Sequence, residues 1–337
     1  MNEADEVVWM VRGAWVSLCL RAACELGILD ALDEPRTLVD VAGRTSSDTA
    51  TMARLLRVLV DLDLLAVNDE GRYAATSRGE VLRVGHPSGV RNLALMQTVI
   101  PNLHAWQHLS DAVRRGGAVY QDLHGLTSWE WLASHPEDEA VFNAAMARRS
   151  ALQVAAIRAA RDFSGTRLVV DVGGGEGAVV AGLLSHQPEL RGIVADRSAV
   201  ADAATRALAE SGLGERAHGE PSDFFTAVPP GGDLYVLSNV LHDWDDDRAT
   251  SILRTVHAAM GPDAHLLVVE NVLDAPGRTA SQQRDLHLVD LHMLVMFGAR
   301  ERTKAEYDAL LVQAGFAPSW LSPSPNAWNV LQTRPAG

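Results

Sequence analysis

The chain has 337 residues, 47% of them hydrophobic, with a mean hydropathy of zero, a net charge of -14 and two cysteines. These values describe a globular protein with room for two domains, and the acidic balance excludes a nucleic-acid partner, because phosphate binding needs a basic face. No apolar run approaches the roughly 20 residues of a membrane span, the acidic start MNEADEVVWM lacks the basic opening of a secretory signal, and cytoplasmic residence is the expectation.

The first 95 residues read as a helical domain. VSLCLRAACELGILDAL carries apolar residues at helical spacing, with Gly27 marking a helix end. Cys19 and Cys24, five apart on that helix, point in different directions and suit neither a disulfide nor a metal pair. A short helix, a turn, a longer helix from Asp48 and a small hairpin turning near NDEG follow, which is a winged-helix outline. Its DNA-binding reading fails on charge, since residues 1–100 hold ten arginines against fourteen acids and the recognition helix offers only Arg54 and Arg57. Dimerisation explains the dense apolar helices better.

Residues 96–160 read as a helical connector containing Trp106, Trp129 and Trp131. From 161 to 337 the chain alternates between apolar strands (RLVVDVG, RGIVAD, DLYVLSNVL, AHLLVVENVL) and helices, the pattern of a parallel sheet covered on both faces. Ligands of such sheets lie at the carboxyl ends of the strands. Residues there are therefore candidates: Asp171 with Gly173 and Gly175 after the first strand, and Asp196 after the second. Asp223 and Phe224 of EPSDFF lie past a third strand that is hard to place; His242 follows the fourth and Glu270 ends the fifth. Gly173, Gly175 and Ala178 satisfy the dinucleotide pattern G-x-G-x-x-G/A, and Asp196 stands where a carboxylate accepts a ribose diol. Asp171 is awkward beside a pyrophosphate, so a dehydrogenase and an enzyme of another adenosine cofactor both remain open on these residues. Asp245, Asp246 and Asp247 read simply as an N-cap and the acidic first turn of a helix.

Nearly the whole chain resembles the bacterial members of the plant-type S-adenosylmethionine-dependent O-methyltransferases. The likeness rests on the winged-helix N-terminus, WEWLASHPEDEAVFNAAMARRS, VVDVGGGEG, LSNVLHDWDDD and GARERTKAEYDALLVQAGF, in that order. It implies an α/β Rossmann-like catalytic domain with a doubly wound, mostly parallel seven-stranded sheet, preceded by a winged-helix dimerisation domain, and a homodimer. It also implies S-adenosylmethionine as cofactor, no metal, and a small-molecule acceptor with a phenolic or other hydroxyl. The resemblance assigns His242 as general base with Glu270 and Glu301 beside it. To the cofactor it assigns Asp171, Gly173, Gly175, Asp196, Asp223 and Phe224. Trp106, Phe142, Met146, Asn239, Met293 and Met296 are then expected around the acceptor.

Four positions depart from the family pattern. Arg197 follows Asp196 where relatives have Asp-Leu-Pro, and Ser222 replaces a glycine. Ser238 stands where plant members place a lysine, and Arg149 replaces a plant histidine; all four are expected on the cofactor side, with Arg149 able to face either ligand. The expected chemistry is in-line methyl transfer with His242 accepting the hydroxyl proton, its ordinary pKa near 6.5 suiting neutral pH. N- or C-methylation, or a non-methylating tailoring reaction on the same fold, is the alternative; an NAD-dependent oxidoreductase leaves HDWDD and ERT unexplained, and a transcriptional regulator contradicts the charge.

Overall fold

Apolar residues three and four apart make the helix Thr49–Asp61 one-sided: Met52, Leu56 and Leu59 are buried, and Asp48 caps the first turn by accepting the Thr51 N–H at 2.9 Å. The structure, a computed structural model, describes residues 2–324 and 326–336, the side chains of Ala147 and Arg148 excepted. The helix Leu38–Arg44 precedes it, closed by a capping box between Thr37 and Asp40. A small antiparallel sheet completes the winged helix, with strands β1 (Arg36–Thr37), β2 (Leu65–Val67) and β3 (Arg72–Ala75) in the order β1-β3-β2. Asn68 holds the hairpin turn, its Oδ1 accepting the N–H groups of Glu70 and Arg72.

The helix Glu3–Val11 behaves differently, because it buries none of its residues. Val7, Val8, Trp9, Met10 and Val11 are 46–76% exposed, and Trp15 on the next helix is 67% exposed. No single helix among the described residues is long and apolar enough to cross a membrane; the pair Glu3–Val11 and Gly13–Glu25, bent by 46°, passes that test only jointly.

The second half is a seven-stranded sheet of β4 (Leu168–Val172), β5 (Arg191–Asp196), β6 (Ala217–Pro221), β7 (Leu234–Ser238), β8 (His265–Glu270), β9 (Trp320–Ser322) and β10 (Asn329–Thr333). Its order is β6-β5-β4-β7-β8-β10-β9, parallel except for β10, which runs antiparallel to both neighbours. Successive residues of a strand point to opposite faces. Val170, Val172, Tyr235 and Leu237 accordingly pack with Ile252, Leu253 and Leu311 of the helices Asp246–Ala259 and Lys304–Gln313. Val169, Val236 and Leu267 pack on the other face with Val180, Leu183, Leu208 and Ile157. The strand order reverses between β4 and β7, so their carboxyl ends frame the crevice in which such sheets bind ligands.

By compactness the chain forms two units, one of residues 1–104 and 129–148, the other of residues 105–128 and 149–337. The segment read as a connector is divided between them.

Candidate active site

The end of β4 carries Asp171, which is fully buried and has no partner for either carboxyl oxygen among the described residues. Burial, reinforced by Asp196, pushes its pKa up to about 7. The glycines that follow are required by space. A Cβ on Gly174 would lie 2.5 Å from Asp171 Oδ2, and one on Gly173, at φ 73°, would lie 2.9 Å from Val240 Cγ2. Gly175 (φ 56°) is the open one, with nothing within 4 Å of a Cβ; its N–H donates to Asp196 Oδ2 at 3.0 Å.

Asp196 also accepts the Arg197 N–H at 2.7 Å, and burial raises its pKa. Ser222 donates its N–H to the Asp196 carbonyl at 2.8 Å. Asp223 uses both carboxyl oxygens inside its own turn, accepting the Phe225 N–H and the Thr226 hydroxyl at 3.0 Å each. Phe224 makes edge contacts with Phe225 and Trp244 at centroid distances of 5.0 and 6.0 Å. Ser238 Oγ at the end of β7 is buried without a partner among the described residues, and so is Oδ1 of Asn239, whose φ of 60° is a left-handed conformation few non-glycine residues adopt. Three buried polar groups without partners, beside an open glycine at a strand switch point, suit a ligand that brings its own hydrogen-bond donors. An α-amino acid joined to a ribose is such a ligand, so the residues fit S-adenosylmethionine.

The second half of the site is a buried charge cluster. His242 sits on a 3-10 turn, Leu241–Asp243, directly after β7 and is 1% exposed. Its Nδ1 lies 3.0 Å from Glu301 Oε1 and 3.7 Å from Glu270 Oε2. A carboxylate only accepts, so Nδ1 donates to Glu301, and Nε2 lies 3.5 Å from Asp243 Oδ1. Glu270 does a different job: its Oε1 accepts the N–H groups of Val240 and Leu241 at 3.1 and 2.9 Å and so fixes the turn's backbone. The ordinary histidine value does not hold here. Burial alone would lower it, but Glu270, Glu301 and Asp243 outweigh that and push His242 up to about 10, while burial pushes Glu270 up to about 7. One atom from each of His242, Glu270 and Glu301 lies within 4.8 Å of the others, a spacing a cation could bridge, but the Nδ1–Oε1 hydrogen bond already accounts for the close approach.

Three supporting residues escape sequence reasoning. Arg302, fully buried, donates to the carbonyls of Leu241 and Trp244 at 2.9 and 2.7 Å and to Asp246 Oδ1 at 2.8 and 3.0 Å. Asp246 is therefore more than a first-turn acid, although Asp245 is the N-cap expected of it, accepting the Arg248 N–H at 2.8 Å. Asp290 accepts the Glu301 N–H at 2.8 Å, and His292 pairs with Trp106. A buried arginine beside Glu301 was the one available signal, and it depends on knowing what is buried.

The helix Ala280–Phe297 contributes Met293 and Met296, both buried, next to His292. Arg149 lies over the Trp328 ring at 5.5 Å; burial lowers its pKa, against Glu301, Asp243, Glu270 and Asp285, which hold it charged. Phe142 and Met146 fall in the part of the chain that folds with the first unit, where Phe142 packs edge-on against Trp129 at 5.6 Å. Their place beside an acceptor rests on the resemblance alone.

Known proteins resemble the chain over most of its length. The O-methyltransferase domain model matches residues 106–317 and the O-methyltransferase dimerisation domain model residues 9–85. The phenazine O-methyltransferase PhzM of Lysobacter antibioticus is 36% identical over 327 residues, covering 97% of this chain and 94% of that protein. The mitomycin biosynthesis 6-O-methyltransferase of Streptomyces lavendulae is 36% identical over 308 residues, 91% of this chain and 87% of that one. Among solved structures, the neocarzinostatin-biosynthesis O-methyltransferase NcsB1, in complex with S-adenosylmethionine and 2-hydroxy-5-methyl naphthoic acid, superimposes with a TM-score of 0.80 at 32% identity, covering 95% of this chain and 96% of that one. The chain belongs to the S-adenosylmethionine-dependent O-methyltransferase family and, by its dimerisation domain, is a homodimer.

Proposed function

We propose that this enzyme methylates a phenolic hydroxyl of a small secondary metabolite in the cytoplasm, with His242 as general base. The observation that carries the reading is the 3.0 Å bond from His242 Nδ1 to Glu301, which orients a buried ring so that, in its neutral form, Nε2 is the nitrogen that accepts a proton. S-adenosylmethionine supplies a methyl group already activated by its sulfonium. The chain's own residues then have to hold and align: Asp171 for the ammonium, Asp196 for the ribose hydroxyls, Ser238 and Arg197 for neighbouring polar groups, and Phe224, on the turn built by Asp223, for the adenine. Trp106, Asn239, Met293 and Met296 hold the acceptor.

His242 Nε2 would take the acceptor's hydroxyl proton as the methyl group passes to the acceptor oxygen. Glu301 and Glu270 stabilise the resulting imidazolium. Their carboxylates, with Asp243, raise the histidine pKa to about 10, close to that of an ordinary phenol, so transfer to the neutral ring is nearly balanced and the neutral form grows as the pH rises towards 10.

Single-turnover methylation across phenols of graded acidity tests the role. His242→Ala should lower the rate roughly 10²- to 10⁴-fold for weakly acidic phenols. The loss should vanish for phenols already ionised at the assay pH, and affinity for S-adenosylhomocysteine should be unchanged. An equal loss for every acceptor would make His242 a substrate-positioning group instead.

A further inference from the structure

His292 lies on the helix Ala280–Phe297, between the Asp290 that holds Glu301 and the buried Met293, and the reaction above gives it no task. It stacks on Trp106, ring centroids 6.2 Å apart and 16° from parallel, with Nδ1 3.1 Å from the indole Nε1. An indole nitrogen only donates. Nδ1 therefore presents a lone pair to Trp106, and the ring's single proton sits on Nε2. A charged ring would set two donors head to head. Burial opposes the charge first and the Arg149 guanidinium second, pushing His292 down to about 4. At neutral pH the ring is one fixed tautomer with an N–H turned away from Trp106, which is its only hydrogen-bond partner among the described residues.

Two observations place His292 near the reacting centre. Asp290, two residues earlier on the same helix, accepts the Glu301 N–H at 2.8 Å. Arg149 acts on His292 and is itself held charged by Glu301, Asp243 and Glu270, so one guanidinium acts on His292 and on the carboxylates beside His242.

Resting on the acceptor reading above, we propose that His292 selects the substrate: its Nε2–H donates to a neutral carbonyl oxygen on the acceptor's ring system, so the enzyme prefers hydroxyaryl ketones or quinones to plain phenols. A site with a fixed donor discriminates against an analogue that cannot accept from it, since closing water out over that analogue strands the N–H. A carboxylate in the same position is disfavoured. Asp243, Glu270 and Glu301 already surround this region with three acids against Arg149 and His242, and a further anion adds to that excess.

The test is equilibrium dialysis of the full-length dimer saturated with S-adenosylhomocysteine, using ortho-, meta- and para-hydroxyacetophenone against the matching ethylphenols and hydroxybenzoates. At least one hydroxyacetophenone should bind about 3- to 10-fold more tightly than its ethylphenol, the worth of one neutral hydrogen bond. His292→Leu should erase that preference and leave ethylphenol binding intact, while His292→Gln, which keeps an N–H donor, should retain part of it. Trp106→Phe, which frees the tautomer, should weaken the preference and serves if the leucine variant does not fold. No preference in the wild type, the same preference in His292→Leu, or tighter binding of the hydroxybenzoates would overturn the proposal. S-adenosylhomocysteine affinity is read in every sample: its absence in the wild type defeats the assignment of the site, whereas its presence with no carbonyl preference defeats the role of His292 alone.

Discussion

Asp171 is a buried carboxyl whose oxygens have no partner among the described residues, and this has a measurable cost. Its pKa is about 7 in the fold against 3.8 in an unfolded chain. Below pH 3.8 both forms hold the proton and the residue is neutral to stability; as the pH rises through about 7 the folded form has to carry an unpaired buried charge. Stability is therefore lost with rising pH, by about 4 kcal/mol at the upper end. His242 runs the other way, since its raised pKa stabilises the fold fully below 6.5, an effect lost only as the pH passes about 10. Asp171→Asn should accordingly melt higher than wild type at pH 8 when scanned without ligand, the gap closing towards pH 4. The same variant should bind S-adenosylhomocysteine at least tenfold more weakly. A gap that stays constant with pH would show that the carboxyl is solvated or paired.

Among the elements, the 3-10 turn bearing His242 is held from three sides: by Glu270 through two N–H groups, by Arg302 through two carbonyls, and by the hydrogen bond of the imidazole to Glu301. Glu301 and Arg302 are consecutive, so one short stretch sets the ring and the backbone that carries it. Arg302→Lys cannot span Leu241, Trp244 and Asp246 at once. It should reduce kcat tenfold or more while KM for the acceptor and affinity for S-adenosylhomocysteine change little, measured well below its melting temperature. A variant that melts lower yet keeps its kcat would mean that Arg302 only stabilises. The part of Arg302 in this clamp was not legible in the sequence, because what it touches is decided by tertiary contacts across about 60 residues. Strands β4, β5, β7 and β8 were legible, being apolar runs, and the rule that ligands gather at strand ends picked out Asp171, Asp196, His242 and Glu270. Strand β6 was hard to place because Ala217 is its only buried residue, and β1 has two residues whose pairing with β3 leaves no local trace. Glu301 lies on no strand, and only the family resemblance joined it to His242.

For the whole molecule, Glu3–Val11 and Trp15 expose an apolar face, and its place is expected in the dimer that the dimerisation domain, matched from residue 9, indicates. Trp9→Glu combined with Val11→Glu should yield a monomer in sedimentation at micromolar concentration, with most of the methyltransferase activity gone; a dimer that survives both charges would place the contact elsewhere. The path of the chain has another consequence. It passes between the two compact units at residues 104–105, at 128–129 and again at 148–149, the last within the 25-residue helix Pro136–Ala160. A recombinant that exchanges the first 104 residues with a relative keeps residues 129–148 from the original parent, and the first unit is then assembled from two ancestries. Viable crossovers in this family should therefore fall beyond that helix or come in matched pairs, so that both segments of the first unit come from one parent.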